Sequence, residues 1–471
     1  MIWRRARSTH PTLAASRRRN CFCCSAARSR MSALSLPPTP SFSGTTALIS
    51  LSPRSRQSAA PTQCLSPFES PNCCVARKTA LRLSSAIFFA ACASGCSPRA
   101  TPGSLVSSRS GTRTGYLAML RLEVLPAGCG DCLWIEYGEP RDRHILVVDG
   151  GLKETAEVLT LRIARAAKER NVKRLFIDLL VVTHIDNDHI GGILELFQRS
   201  DVTVDFGDIW FNGSQQLRNL LGLAEGEAMS TLLEARGGPW NDAFGGKAVM
   251  VEDEGEFPFR MRQDKLRLTI LGPFRSRLDA LWGKWEDFLQ KEAAREAEEP
   301  SDLLGEEWPP VWTERESRDN SIANASSIVL LLEYAGRRLL LAADAHANDI
   351  AAAVGRLPER YLTKCKLPLD GFKLSHHGSK ANLSRALLEK LDCSRYIIST
   401  DSTAHEHPHG LALLRVLRYG TGRPSLMFNY ETTATARWRD QKDEIVGFAD
   451  FDTAYPDRPE RGLIIEWNDR P

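Results

Sequence analysis

The feature that most restricts the fold of this sequence is the stretch VVTHIDNDHIGG (181–192), which sets two histidines and two aspartates within six residues, directly after an apolar run. The apolar run predicts a buried strand, and the residues from Ile190 onward predict a helix. Imidazole and carboxylate groups are the ligands that borderline-to-hard divalent ions prefer. Side chains at a strand's end and at the next helix's start can point to neighbouring positions, so these four groups can hold two ions. The candidate ligands are His184, Asp186, Asp188 and His189. The alternative is a polar loop in which Asp186 or Asn187 caps the helix.

Apolar patterning beyond this motif predicts alternating strands and helices. Buried or paired strands are expected at LRLEVLP (120–126), CLWIEYG (132–138), HILVVDGG (144–151), LFIDLLVVT (175–183), SSIVLLLEYA (326–335), RRLLLAAD (337–344), GFKLSHHGS (371–379) and RYIISTD (395–401). Helices are expected at TAEVLTLRIARAAKERN (155–171), at IGGILELFQRS (190–200) and, on the surface, at LDALWGKWEDFLQKEAAREAEE (278–299). We therefore expect an α/β domain over residues 116–471, with a helical insertion around 275–300.

The first 115 residues differ in composition from the rest of the chain. They hold 16 Arg or Lys residues and one acid, Glu69, so this segment carries about +15 and residues 116–471 carry about −12. Such a segment is expected to be disordered. Three interpretations remain open: an organelle transit peptide, a lipoprotein-like cleavage site ending at Cys96, or upstream sequence before a true start at Met119, which is the interpretation we favour.

Cysteine usage and hydropathy bear on the compartment. Eight of the twelve cysteines precede residue 116, and the later four are Cys129, Cys132, Cys365 and Cys393. So few cysteines in a long domain indicate a reducing compartment, and a lone CxxC at Cys129 and Cys132 is interpreted as two ordinary cysteines rather than a redox or zinc pair. No apolar run reaches the ~18–20 residues of a membrane-spanning helix. We expect a cytoplasmic protein, with the N-terminal segment leaving export or organelle targeting open.

Six motifs carry a family resemblance. THIDNDHIGG resembles the HxHxDH metal signature of the metallo-β-lactamase superfamily, with Asp186 in place of the second histidine, and this HxDxDH form is similar to the β-lactamase-like domain of bacterial competence DNA-uptake proteins. The other five follow in the family's order: GCGDC (128–132), LVVDGG (146–151), NASSIVLLLEYAGRRLLLAADAH (324–346), KLSHHGSKANLS (373–384) and STDSTAHEHPHG (399–410). The resemblance covers about residues 120–415. It implies a four-layer αβ/βα sandwich, in which two mixed sheets pack face to face with helices outside and metals at one edge.

The resemblance also implies roles for particular residues. His184 and Asp186 would bind a first metal, Asp188 and His189 a second, and Asp344 would bridge both. His376 would complete the second site, although the motif leaves open whether His376 or His377 is the ligand. The implied catalytic residues are Asp188, which would also orient the attacking hydroxide, His377, and His407, which would contact the phosphate or leaving group. Asp149 and Asp131 would lie behind the ligands and support them by hydrogen bonds.

The implied cofactors are two divalent ions. Zinc is the first expectation and manganese the alternative, because the additional histidine that the superfamily often supplies to the first metal is missing: residues 190–343 contain no histidine. Asn324 or Ser326 can serve there as a weak contact. Two close metals activate water for hydrolysis. Ser379 lacks a surrounding GxSxG motif and is interpreted as a loop hydrogen-bonder.

The implied reaction is hydrolysis of a phosphodiester or another small ester. The net charge of about −12 over residues 116–471 disfavours tight duplex binding, which needs a basic face. The expected substrate is therefore a small molecule or a short nucleic-acid strand, and the oligomeric state stays open. The alternative function is a metal-binding regulatory or defence module with little turnover. Trp282 and Trp285 are interpreted as packing residues rather than as a base-stacking platform.

Overall fold

The computed structural model describes residues 118–221, 228–285 and 307–468, so the predicted N-terminal segment 1–115 lies outside the described residues. The described residues all fall within one compact unit. The helices are α1 (Thr155–Glu169), α2 (Asn187–Gln198), α3 (Ser214–Leu221), α4 (Ala228–Arg236), α5 (Arg275–Trp282), α6 (Ile322–Ala325), α7 (Ala347–Arg356), α8 (Arg385–Leu388), α9 (Gly410–Tyr419) and α10 (Thr433–Asp440). Among these described helices, none is both long enough and apolar enough to cross a membrane.

Most strands belong to two mixed sheets. The strands are β1 (Met119–Val124), β2 (Leu133–Glu139), β3 (Asp142–Val148), β4 (Leu175–Ile177), β5 (Leu179–Val181), β6 (Val204–Phe206), β7 (Ile209–Trp210), β8 (Phe259–Met261), β9 (Arg267–Gly272), β10 (Val329–Tyr334), β11 (Arg337–Leu341), β12 (Leu367–Leu369), β13 (Gly371–Lys373), β14 (Leu391–Cys393), β15 (Arg395–Ile398), β16 (Ser425–Phe428), β17 (Asp452–Ala454) and β18 (Leu463–Asn468). The first sheet has the order β18-β1-β2-β3-β5-β7, and the second has the order β17-β16-β15-β13-β11-β10-β9-β8. Two short pairs, β4-β6 and β12-β14, stand apart.

Alternation along the strands of the first sheet creates its two buried faces. One face packs on the second sheet in a shared core whose members include Leu122, Ile135, Leu146, Leu268, Leu330 and Leu340. The opposite face packs on α1 and α2 in a second core whose members include Trp134, Ile145, Val147, Leu159, Ile163 and Ile193. Helices α7 and α9 contribute side chains to the core of the second sheet, among them Ile350, Val354, Leu413 and Val416. The predicted four-layer sandwich is confirmed.

The stretch LFIDLLVVT differs from the prediction because it forms two strands rather than one. The break falls at Asp178, which is buried. Its carboxylate accepts a hydrogen bond from the backbone N–H of Ile145 at 2.8 Å and lies 2.9 Å from Nδ1 of His144. These contacts turn the chain, so that β4 pairs with β6 while β5 continues in the first sheet and leads into the histidine-rich loop.

Two predicted helices have different bounds in the structure. Helix α2 begins at Asn187, three residues before the predicted start, so part of the ligand motif lies on its first turn. The predicted surface helix begins as α5 but ends at Trp282, with Leu278 and Leu281 buried. Residues 286–299 of that predicted helix lie outside the described residues. Trp285 is 4% exposed and stacks with Trp282 at a centroid distance of 6.3 Å, which agrees with a packing role.

Candidate metal centre

The candidate site lies at one edge of the sandwich, where strands of both sheets end. Strands β3 and β5 run parallel in the first sheet, and β11, β13 and β15 run parallel in the second. The segments that follow their carboxyl ends carry the predicted site residues, which are Asp149 after β3, His184 to His189 after β5, Asp344 after β11, and His376 and His377 after β13. Two sheets therefore supply the two halves of one site.

Four of these side chains form the centre of the site. Asp188, His189, Asp344 and His377 each place one ligand atom within 4.8 Å of the others. His189 Nε2 lies 3.2 Å from Asp344 Oδ1, and His377 Nε2 lies 3.2 Å from Asp188 Oδ2 and 3.6 Å from Asp344 Oδ1. We refer to these four residues as the central cluster.

The histidines of this site are held through Nδ1, so that Nε2 faces the cluster. Nδ1 of His189 meets Asp149 Oδ2 at 2.8 Å, and Nδ1 of His377 meets the carbonyl of Ser399 at 2.9 Å. Within the described part of the chain, the Nε2 atoms of His184, His189 and His377 and the Oδ1 atom of Asp344 are buried without a hydrogen-bond partner. Burying such groups unpaired is costly. Converging lone pairs of imidazole and carboxylate fit a divalent metal, and these residues therefore fit the implied cofactor.

Asp149 organises the first half of the site. Its Oδ1 accepts from the backbone N–H of Thr183 at 2.7 Å, and its Oδ2 accepts from the Thr183 hydroxyl at 2.8 Å. That hydroxyl also lies 3.0 Å from Nδ1 of His184. Because the hydroxyl donates to Asp149, it can accept the Nδ1–H of His184. One carboxylate thus orients both His184 and His189. Thr183 was not a predicted site residue, and its position directly before His184 was the only available signal.

Asp186 lies beside His184. Its Oδ2 is 3.6 Å from His184 Nε2, and its side chain is 19% exposed. It stands at the N-cap position of α2 but makes no side-chain capping hydrogen bond. The capping alternative is therefore wrong for Asp186. The rings of His184 and His189 are 4.2 Å apart, so the His184–Asp186 pair adjoins the central cluster.

Two consecutive histidines face the site because the backbone turns left-handed there. His376 has a φ of 49°, His377 of 53° and Gly378 of 89°. His377 is buried and belongs to the central cluster. His376 stands at its rim, with a side chain 25% exposed and Nε2 3.7 Å from Asp344 Oδ2. The geometry thus favours His377 as the ligand of the pair.

A polar group that the sequence analysis missed supports His376. Its Nδ1 lies 3.1 Å from Asn382 Oδ1 and 3.5 Å from Asp319 Oδ2. The amide of Asn382 also donates to Asp319 at 2.9 Å, and the amide of Asn324 donates to it at 2.8 Å. The side-chain amide of Asn324 is therefore bound to Asp319, and the Ser326 hydroxyl donates to the carbonyl of Ala323. No sequence pattern pointed to Asp319.

The turn that contains Asp131 packs against the start of α2. The backbone N–H of Asp131 donates to the carbonyl of Asp188 at 3.1 Å. A Cβ atom at Gly130 would lie 1.9 Å from that carbonyl oxygen, so only glycine allows this approach. The buried side chain of Asp131 places Oδ1 3.4 Å from His377 Nδ1. The GCGD turn therefore touches both halves of the site.

Charge coupling within the central cluster is strong. Burial opposes the charged form of His377, but the carboxylates of Asp344 and Asp131 outweigh it and raise its pKa to about 10. Burial likewise opposes ionisation of Asp188, but His189 and His377 lower its pKa to about 2. The pKa of Asp344 is held well below its usual range, against burial, by His189 and His377. The carboxylates are thus ionised at neutral pH, and metal binding would displace protons from the imidazoles.

His407 lies over the second half of the site. It is 5% exposed, and its ring centroid lies 4.9 Å from that of His376 and 4.8 Å from that of His409. Burial, together with the neighbouring His376 and His377, holds the pKa of His407 well below its usual range. The neighbouring His409 has its pKa lowered to about 3, mainly by burial. Both imidazoles are neutral at physiological pH and can donate or accept a hydrogen bond.

The contacts of the cysteines and of Ser379 agree with their interpretation as ordinary cysteines and a loop hydrogen-bonding serine. Cys129, Cys132, Cys365 and Cys393 are free thiols. Burial is the main cause that raises the pKa of Cys129 to about 12, which opposes a thiolate role in redox or zinc chemistry. The Ser379 hydroxyl accepts from the backbone N–H of Ala381 at 3.3 Å.

One comparison, with protein-family models, agrees with this set of site residues. Residues 127–205 match the family model described as the metallo-beta-lactamase superfamily, and this segment contains Asp131, Asp149 and the motif from His184 to His189. Among solved structures, the chain is similar to the metallo-beta-lactamase fold protein YhfI from Bacillus subtilis, with 9% identity, a TM-score of 0.32, and coverage of 74% of this chain and 100% of that one. A comparison with curated proteins gives no match.

Proposed function

We propose that this chain, whose residues 127–205 match the metallo-beta-lactamase superfamily, is a metal-dependent hydrolase that cleaves a phosphodiester. The observation that carries the proposal is the set of buried, unpartnered atoms that converge at the strand ends, namely Nε2 of three histidines and Oδ1 of Asp344. A chain that kept this fold only for packing would have no reason to bury these atoms without partners.

The residues divide into two groups around Asp344. His184 and Asp186 would hold one ion, and Asp188, His189 and His377 would hold the other, with Asp344 between them. Two such ions supply a water nucleophile at neutral pH and neutralise charge on the attacked group. Zinc suits the imidazoles, whereas the carboxylate at Asp186 also admits manganese.

The protein's own residues orient the reaction. Asp149 and Thr183 fix the tautomers of His184 and His189, so both present Nε2 to the ions. Asp188, ionised at neutral pH, can orient the attacking water by accepting a hydrogen bond from it through its carboxylate. His407 is neutral and can offer an N–H hydrogen bond to an oxygen of the bound ester.

A small or single-stranded phosphodiester fits the surroundings of the site better than an extended duplex does. The neutral ring of His407 lies 6.1 Å from that of His377 in the cluster, and His409 adjoins His407 at 4.8 Å. Metal ions bound there would themselves attract phosphate. The acidic balance of residues 116–471, about −12, disfavours a long polyanion. A small-molecule diester or a short single strand is the proposed substrate, and free cysteines agree with the proposed cytoplasmic setting.

Hydrolysis of bis(p-nitrophenyl) phosphate by the full chain tests this proposal. We expect turnover with Zn²⁺ or Mn²⁺ that is lost in Asp188→Ala and kept in Asp370→Asn. Asp370 is a matched control because its carboxylate pairs with Arg337 at 2.9 Å at the opposite end of the second sheet. Metal binding without turnover of this and other esters would contradict the hydrolase proposal and favour the metal-binding regulatory module.

A further inference from the structure

A buried lysine lies directly behind the candidate metal centre. Lys373 has a side chain 0% exposed, and its Nζ atom lies 2.7 Å from Asp131 Oδ2. Nζ also donates to the carbonyl of Leu374 at 3.0 Å. Burial of a lysine is costly unless it is paired, and even a paired buried charge often stabilises a fold no better than apolar side chains would. Fold stability is therefore a weak explanation for this ion pair.

The position of the pair suggests a different reason for it. Lys373 is the last residue of β13, in the second sheet, whereas Asp131 precedes β2, in the first. The pair therefore joins the two sheets at the edge where each supplies half of the site. Asp131 in turn contacts both halves: its backbone N–H bonds to the carbonyl of Asp188, and its Oδ1 lies 3.4 Å from Nδ1 of His377.

Asp131 Oδ1 is buried and has no hydrogen-bond partner among the described residues. Nδ1 of His377 lies 3.4 Å from this oxygen and donates to the carbonyl of Ser399 at 2.9 Å. A carboxylate in this place keeps the proton on Nδ1 and increases the electron density at Nε2, the atom that faces the cluster. The charge of Lys373 is what allows a carboxylate to remain there.

We propose that Lys373 is a positioning residue of the metal centre, which holds Asp131 as the carboxylate that orients His377 and fixes Asp188 across the two sheets. This inference rests on the proposed function, because it concerns residues that would bind the metals. Lys373 is not one of the candidate ligands, and it acts through Asp131, the carboxylate that its Nζ atom contacts.

The test compares Lys373→Met with the double variant Asp131→Asn, Lys373→Met in the full chain. The probe is Zn²⁺ in competition with a chromogenic chelator, with Co²⁺ absorption as a second readout and thermal unfolding of the metal-free chain as a third. We expect Zn²⁺ affinity to fall by about 10- to 100-fold in both variants, with a changed Co²⁺ spectrum. The double variant should regain the thermal stability that the single variant loses, because no buried charge is left unpaired.

Arg162→Met is the matched control. Arg162 is a buried cation paired with Glu123 at 2.8 Å and Glu136 at 2.7 Å, away from the candidate ligands, so its loss should lower stability without changing Zn²⁺ affinity. If the double variant binds Zn²⁺ as tightly as the native chain does, the positioning role of Lys373 is overturned and the proposed function still stands. Absence of metal binding by the native chain would overturn the proposed function and this inference with it.

Discussion

Replacement of Asp149 by Asn should prevent both His184 and His189 from binding a metal through Nε2. Asp149 has a φ of 61°, a conformation that Asn tolerates, so the backbone can stay in place. The amide oxygen can still accept from the backbone N–H of Thr183. The new NH₂ group then faces the Thr183 hydroxyl and His189 Nδ1, which are each 2.8 Å from the original Oδ2.

The consequence is a reversal of hydrogen-bond direction. A donor opposite His189 Nδ1 stabilises the tautomer with its proton on Nε2, which cannot bind a metal. The Thr183 hydroxyl now accepts, and it turns its own proton toward Nδ1 of His184, with the same effect there. We expect Zn²⁺ affinity to fall by at least about 10- to 100-fold, which is about 1.4–2.7 kcal/mol. Loss of the charge-assisted bond should also cost about 1.5–3 kcal/mol of unfolding free energy in the metal-free chain.

The assay is Zn²⁺ competition with a chelator, alongside denaturant unfolding of the metal-free chain, with Asp178→Asn as the control. Asp178 is a buried carboxylate on the same sheet that pairs with a histidine, His144, in the same way, at the end of β5 remote from His184. The control should lose stability and keep its Zn²⁺ affinity. If Asp149→Asn binds Zn²⁺ as tightly as the native chain, the tautomer argument is wrong.

Three further predictions follow from the site. The pKa of His377 is raised to about 10 from an ordinary 6.5, so its charged form stabilises the metal-free chain fully below pH 6.5, and this contribution is lost as the pH rises toward 10. The unfolding temperature should therefore fall less between pH 6, 8 and 10 in His377→Gln than in the native chain. An equal fall in both proteins would contradict this effect of His377. Gly130→Ala should displace the carbonyl of Asp188 and cost about 1–3 kcal/mol, with weakened Zn²⁺ binding; unchanged unfolding and binding would show that the turn is not needed. Cys129→Ser should bind as many metal ions as the native chain, as measured by elemental analysis. Loss of one ion would instead support a zinc pair at Cys129 and Cys132.

Local sequence patterns predicted the parts of the site that are local. The buried strand before His184 and the helix after it follow from apolar patterning, and the candidate ligands there follow from residue chemistry. The order of the motifs and the four-layer sandwich followed from the family resemblance, because patterning alone does not say how two sheets pack.

Contacts between distant segments were not predictable. The choice between His376 and His377 depends on two successive left-handed residues, which no apolar pattern encodes. Asp319 lies 57 positions before His376, and its contact with that ring exists only in the folded chain. Lys373 looked like an ordinary strand residue before its partner, Asp131, was located on the other sheet.

The break at Asp178 has the same origin. The run LFIDLLVVT is apolar enough for a single strand, but the carboxylate in its middle is satisfied by the neighbouring strand β3 through Ile145 and His144. Burial of a polar group without partners would be costly, so the chain turns where the partners are. Propensity over nine residues cannot report partners that lie more than thirty residues away.

We propose above that this edge of the sandwich holds two metal ions. Elemental analysis of the full chain, loaded with Zn²⁺ or Mn²⁺ and freed of excess metal, measures this directly. We expect about two ions per chain in the native protein and fewer in Asp344→Ala, which removes the carboxylate between the two groups of candidate ligands. A native chain without bound metal under both conditions would contradict it.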